Sequence, residues 1–213
     1  MTLTQIGTRE RLIRAAQEEL IQGHGLLEMQ AVAKRTRVSV GLAYHHFGSK
    51  AGLIAAINGA AAGVGLVLAA FADLRFAQAG AKFTTAHGRY NFPAEFGLSW
   101  VLPRIMGLTH ANDVLLSSRV FTAEEAFAMG FLNKVLPASE LIGHVTTYAR
   151  VIADTVAPGS ARATKQQIYR DLHRDAAAAV VEAERLLEDM IRHPDYGEGV
   201  KAWMEKRVAA WTG

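Results

Sequence analysis

The sequence predicts an α/β layer with a C-terminal helical annex, preceded by a small all-α segment. Three observations lead there. The first quarter carries short apolar repeats at helical spacing, punctuated by glycines and a three-residue turn. From Ile54 a β-branched run, an Asn-Gly turn and a glycine-rich helix start follow in quick succession. After Ser139, long stretches keep a helical apolar period almost to the last residue. The expected boundaries are 1–53 for the helical segment and 54–213 for the remainder.

Composition narrows the class. A chain of 213 residues can bury a core, and 50% apolar with 20% charged residues is ordinary for a soluble globular protein. With no cysteine there is no disulfide framework, no thiolate metal site and no cysteine nucleophile, so a cytoplasmic protein is expected. The opening residues lack a basic stretch followed by an apolar run, so no signal peptide is expected. Residues 51–72 carry no charge over a length able to cross a bilayer. Gly52, Asn58, Gly59, Gly63 and Gly65 interrupt them and alanine supplies much of the rest, which favours a buried strand–turn–helix and no membrane span. The net charge of +3 lies wholly in residues 1–57, where seven basic side chains face four acidic ones. That asymmetry suits a polyanion-facing N-terminus.

In that first segment Thr8 caps a helix with Glu10 in its first turn and Leu12, Ile13, Ala16, Leu20 and Ile21 along its apolar face. Gly23 and Gly25 end it. A second helix fits Met29 to Arg35, Thr36-Arg37-Val38 turns, Ser39 caps a third helix to about Phe47, and Ser49 caps a fourth from Lys50. Two short helices across such a turn make a helix-turn-helix, whose second member enters the major groove of double-stranded DNA by its N-terminus. The outward residues are then Thr36, Arg37, Ser39, Gly41, Tyr44 and His45. Gly41 admits close backbone approach, while Tyr44, His45 and Lys50 can hold phosphates. The plain alternative is a set of packed helices with a solvated basic face. His45 and His46 are sequence neighbours and do not face one another on a helix, so no metal site is expected. Through Val32-Ala33, Val38-Ser39, Tyr44-His45-His46-Phe47 and Ser49-Lys50, residues 8–57 resemble the DNA-binding head of the tetracycline-repressor (TetR) family. The resemblance implies a transcriptional regulator, although the family's large helical domain for effectors and dimerisation has no counterpart here.

Beyond it, Ile54 to Ile57 is expected as a short buried strand and Asn58-Gly59 as a turn, with a helix opening at Gly63-Val64-Gly65 and running to about Phe71. Residues 73–77 and 81–84 pattern as strands. Helices are expected over 97–107, 122–130 and 139–156, then over 161–172, 175–192 and 198–211. The glycines have a chemical use. A helix N-terminus offers unpaired N–H groups and partial positive charge, and small residues at Gly59, Gly63 and Gly65 let a ligand carbonyl approach. A thioester carbonyl held there is polarised toward an enolate. Close helix–strand packing explains the same glycines as well. Neither a dinucleotide fingerprint nor a phosphate loop is present.

Several strings in order carry a second resemblance. They are Ala55-Ala-Ile-Asn-Gly-Ala-Ala-Ala-Gly-Val-Gly65, Ala72-Asp-Leu-Arg-Phe-Ala77, Ala94-Glu-Phe-Gly-Leu-Ser-Trp-Val-Leu-Pro-Arg104, Phe121-Thr-Ala-Glu-Glu-Ala, Gly130-Phe-Leu-Asn-Lys-Val135, and the tail from Asp195 to Arg207. On them, residues 54–213 resemble the C-terminal two-thirds of the crotonase (enoyl-CoA hydratase/isomerase) family, a partial crotonase-like fold. The resemblance implies an acyl-CoA thioester substrate with coenzyme A as part of it and no separate cofactor. It implies that the backbone N–H of Val64 is one of two oxyanion donors. Where hydratases of the family keep two glutamates for water addition, this chain has Val67 and His87. Glu95 stands where isomerase-type members keep a single acidic base, partly buried beside Phe96 and Trp100 and suited to moving an α-proton. A plain helix N-terminal acid is the alternative for Glu95. His87 is a candidate second acid/base, and Arg104 is expected to be structural.

The same resemblance implies further residues ahead of the Asn-Gly turn, supplying the first strands, the other oxyanion N–H and much of the CoA cradle. Residues 1–53 do not resemble them, so turnover is expected to be impaired; one lost donor costs about a hundred- to a thousand-fold. It also implies a homo-oligomer, a trimer or dimer of trimers. Leu53-Ile-Ala-Ala-Ile57 fits both the start of a fourth helix and a strand, which suggests recombination of two coding sequences there. A fusion without function is the third reading.

Overall fold

The computed structural model describes residues 53–212. The helices expected between Thr8 and Lys50, and with them Thr36, Arg37, Ser39, Gly41, Tyr44, His45 and Lys50, lie outside the described residues. The chain divides into two compact units, the first ending at Val145 and the second starting at Thr146.

The first unit holds two small sheets. β1 (Ile54–Ile57), β3 (Leu74–Gln78) and β6 (Lys134–Leu136) run parallel in the order β1-β3-β6, with Ile54 opposite Leu74 and Phe76 opposite Lys134. β2 (Ala61–Ala62) pairs parallel with β4 (Lys82–Thr84), which pairs antiparallel with β5 (Phe121–Thr122). Parallel neighbours need a crossover, and α1 (Val64–Ala70) supplies it between β1 and β3. Ile54–Ile57 is a strand, so a fourth helix beginning at Lys50 cannot run through it.

The core gathers where α1 and α2 (Leu98–Ser117) meet the second sheet. Leu66, Phe83, Leu98, Leu102, Phe121 and Phe131 are almost fully buried there. The Phe83 ring lies 5.6 Å from Phe121 and meets Phe131 edge-on at 6.0 Å, an arrangement that adds to burial. Phe76, Leu136 and Leu141 form a second cluster, Leu141 coming from α4 (Ala138–Thr155). Arg75 is buried and satisfied: its guanidinium donates to the Phe131 carbonyl at 2.5 Å and to that of Ala72, and stacks 5.3 Å from the Phe131 ring. α3 (Ala123–Ala128) begins with a reciprocal cap, the Glu125 N–H bonding Thr122 Oγ1 and the Thr122 N–H bonding Glu125 Oε2.

Some elements differ from the sequence reading. β2, β5, β6 and a 3₁₀ turn at His87–Tyr90 are not expected from the sequence; elements of two to four residues carry too few positions to show a period. The helix expected over 97–107 does break at Gly107, which is non-helical at φ 74°, ψ 164°, and a second helical stretch, not expected from the sequence, follows across the kink to Ser117. Glycine interrupts the hydrogen-bond ladder there, and buried Ala111 and Val114 hold the continuation against the core.

In the second unit α5 (Pro158–Asp171), α6 (Ala176–Ile191) and α7 (Pro194–Glu205) surround a groove of about 910 Å³. No residue of α5 or α6 is fully buried. α7 starts four residues earlier than expected because Pro194 occupies its first position and the His193 imidazole accepts the Asp195 N–H. It stops at Lys206, whose φ of 53° ends the helix. The tail folds back through side chains of α7: Glu198 accepts from Arg207 at 2.6 Å and from the Ala210 N–H at 2.7 Å, and Asp195 accepts from the Thr212 backbone and hydroxyl at 2.8 Å. Among the described residues no helix is long and apolar enough to cross a membrane, and no three His, Asp or Glu side chains gather as a metal site.

Candidate active site

The site begins at the turn between β2 and α1. Gly63 adopts φ 49°, ψ −117°, with open space where a Cβ would stand, so glycine is there for its backbone and not for lack of room. Its N–H donates to the Thr84 carbonyl at 3.1 Å, which ties the start of α1 to the end of β4. Val64 takes the first helical position, whose N–H has no acceptor within the helix. Gly59 and Gly65 line a cavity of about 290 Å³ with Asn58 and the end of β1, whereas Gly63 and Val64 do not line it. Val67 is 3% exposed and packs in the core, so that position holds hydrocarbon and no acid.

Thr84 also brings His87 close to Gly63. Three residues span at most about 10 Å of extended chain. The intervening turn is tight: the His87 N–H donates to the Thr85 carbonyl at 2.8 Å, and the Ala86 N–H to Thr84 Oγ1 at 3.1 Å. His87 is 7% exposed, and its Nδ1 is buried with no hydrogen-bond partner among the described residues. A buried ring nitrogen left so is costly, roughly 1–3 kcal/mol, and asks for an explanation beyond packing.

Glu95 is half-buried two residues ahead of the α2 cap, and its carbonyl accepts the Leu98 N–H at 3.0 Å. Phe96 at φ 49° and Gly97 at φ 81° turn the chain into α2, and a Cβ on Gly97 would stand 3.2 Å from the Phe71 ring at the end of α1. Phe96 is 40% exposed, so it shields the carboxylate less than the sequence suggests. No hydrogen bond or ion pair among the described residues joins the Glu95 carboxylate to His87 or to the Gly63 turn. Arg104 is structural: it donates to the Trp100 carbonyl at 2.8 Å and covers the Trp100 ring at 4.2 Å.

Backbone strain concentrates in the same stretch. Ala86, Asn91 and Phe96 all have positive φ without being glycine, and so does Ser118 across from them. Such residues cost of order 1–3 kcal/mol each and cluster where function demands a fixed geometry. Thr84, Thr85 and Ser118, which hold the His87 turn, were missed in the sequence. No spacing rule links residues about thirty positions apart, and only the fold brings them together.

Comparison with known proteins gives the class to which this fold and turn belong. The profile of the enoyl-CoA hydratase/isomerase family matches residues 22–213, and this chain belongs to that family. The match begins inside the segment that resembles a tetracycline-repressor head. The chain is 34% identical over 163 residues to the protein named probable enoyl-CoA hydratase EchA12 of Mycobacterium tuberculosis, covering 75% of this chain and 57% of that one. It is likewise 34% identical over 161 residues to the (E)-benzylidenesuccinyl-CoA hydratase of Thauera aromatica, covering 76% and 62%. The crystal structure of an enoyl-CoA hydratase from Bacillus anthracis superposes with a TM-score of 0.75 at 26% identity, covering 91% of this chain and 74% of that one. The chain thus spans about three-fifths of the length of these curated relatives. Enzymes of the family use no separate cofactor, coenzyme A being carried by the substrate.

Proposed function

We propose that this chain handles acyl-CoA thioesters and moves a double bond by proton transfer, as an isomerase-type member of its family. The observation that carries the reading is the Gly63 turn, tied to the end of β4 and followed by Val64 at the first helical position, whose N–H has no acceptor within the helix. A thioester oxygen accepting that N–H gains stabilisation as negative charge develops on it. The Glu95 carboxylate removes the α-proton of a 3-enoyl thioester to give the dienolate, then returns the proton at the γ-carbon, so the double bond moves into conjugation. Hydration needs two acids around a water; with Val67 and His87 at those places, water addition is disfavoured. His87 serves as a second proton carrier through its buried ring. Gly59 and Gly65 line the cavity that leaves the approach open for the substrate, and Gly63 sets the backbone of the turn. Calorimetric titration with a short enoyl-CoA tests the pocket: saturable heat is expected, and none at millimolar ligand would refute the reading.

Association follows from the same reading, as a trimer or dimer of trimers. A DNA-binding role is favoured by one observation, the confinement of the net charge of +3 to residues 1–57 with the Tyr44-His45-His46-Phe47 string among them. Contacts from Thr36, Arg37, Ser39, Gly41, Tyr44, His45 and Lys50 to double-stranded DNA predict a gel shift that weakens steeply with salt. No shift, or one indifferent to salt, would refute it.

A further inference from the structure

Thr84, Thr85 and Gly88, on either side of His87, are tied to the last turn and cap of α2. Thr84 Oγ1 donates to the Ser118 carbonyl at 3.0 Å, Thr85 Oγ1 to the Val114 carbonyl at 3.1 Å, and the Gly88 N–H to Ser118 Oγ at 3.0 Å. The Thr85 and Ser118 hydroxyls lie 3.2 Å apart, and both residues are 1% exposed. Each hydroxyl has one proton. With the Thr85 proton on Val114, the Ser118 proton fills the Thr85 oxygen while a Ser118 lone pair takes Gly88. Both hydroxyls are then satisfied, while the buried His87 Nδ1 has no hydrogen-bond partner among the described residues.

The pair is also held against backbone preference. Ser118 sits at φ 46° and ψ 28°, where glycine would suit the backbone but bring no hydroxyl. Gly88 has no room for a side chain, since a Cβ there would stand 2.7 Å from Ser118 Oγ. Both features keep the Ser118 oxygen against the backbone that carries the imidazole.

We propose that Thr85 and Ser118 are positioning residues for His87, two buried hydroxyls that fix the backbone turn carrying its imidazole beside the Gly63 turn. The proposal rests on the reading that this turn receives the thioester. Misplacing a reacting group by about an ångström costs on the order of a hundred-fold in rate, so the pair acts on turnover more than on binding.

The test uses the full chain with a short 3-enoyl-CoA and ¹⁵N spectra of the His87 ring. Ser118→Gly removes the hydroxyl while relaxing the backbone, Thr85→Val removes the other at constant shape, and Thr85→Ser restores it. Ser118→Gly and Thr85→Val are expected to lower kcat about ten- to a hundred-fold with KM little changed, and to shift the His87 ring signals. Thr85→Ser is expected to return both towards the parent. Unchanged ring signals in Ser118→Gly and Thr85→Val would overturn the positioning role. Full turnover by His87→Ala, with the ring signals of Ser118→Gly still shifted, would instead overturn the reading of the site on which the proposal rests.

Discussion

In the proposed reaction Gly63, His87 and Glu95 divide the chemistry among backbone, buried ring and carboxylate, and each is constrained differently. Gly63 is constrained by dihedral angle: at φ 49°, ψ −117° with nothing near its missing Cβ, the cost of alanine there is conformational, on the order of 1–3 kcal/mol. Gly63→Ala should therefore lower Tm modestly and depress turnover far more, because the Val64 N–H is displaced from the carbonyl it would polarise. A loss of turnover no larger than the loss of folded protein would contradict that role. His87 is constrained by its neighbours, through hydrogen bonds to the turn that carries it and none to its Nδ1 among the described residues. Glu95 is set by two successive positive-φ residues that swing the chain into α2. The residue types at these positions could be read from the sequence, but their company could not. Thr85 and Ser118 show nothing unusual until the fold places them in contact.

The elements were readable in proportion to their length and capping. β1 falls at Ile54–Ile57, where a β-branched pair brackets two alanines, and α6 starts at Asp175, whose carboxylate accepts the Ala178 N–H at 2.9 Å. β2 and β6 escaped notice because paired segments of two or three residues are defined by their partners. α7 was misjudged at both ends: its start depends on Pro194 and its stop on Lys206, while the apolar period continues past both. Its tail clip has a pH signature. The Arg207 guanidinium, helped by the Ala210 N–H, holds the Glu198 carboxyl down to about 2. A carboxyl lowered in the folded state adds stability that is fully present above its ordinary value and fades as pH falls through the lowered one. Between about pH 4.5 and 2 the parent should lose Tm faster than Glu198→Gln, whose melting should be flatter over that window. Parallel curves in circular dichroism melts would show that the clip contributes nothing.

The two units are built to different standards of burial. Among the described residues the first encloses eight almost fully buried large apolar side chains, while α5 and α6 of the second bury no residue completely. Trp203 on α7 is 85% exposed and Met204 78% exposed. An apolar surface of that kind in a chain proposed to self-associate argues for contact between copies through the helical unit. Light scattering should give a multiple of the 23.1 kDa chain mass, and Trp203→Glu should shift the population toward the single chain without lowering the solubility of the protein. A parent that already runs at the single-chain mass would contradict the association.

The central claim is that a thioester held at the Val64 N–H loses and regains a proton through Glu95. Its most direct test follows a short 3-enoyl-CoA with the parent chain and with Glu95→Gln, reading the appearance of the conjugated 2-enoyl thioester. The expected result is a rise in conjugated product with the parent and a rate lower by about a hundred-fold or more in Glu95→Gln, the usual range for a lost general base. Equal rates from the two proteins, or hydrated product in place of the conjugated one, would contradict it.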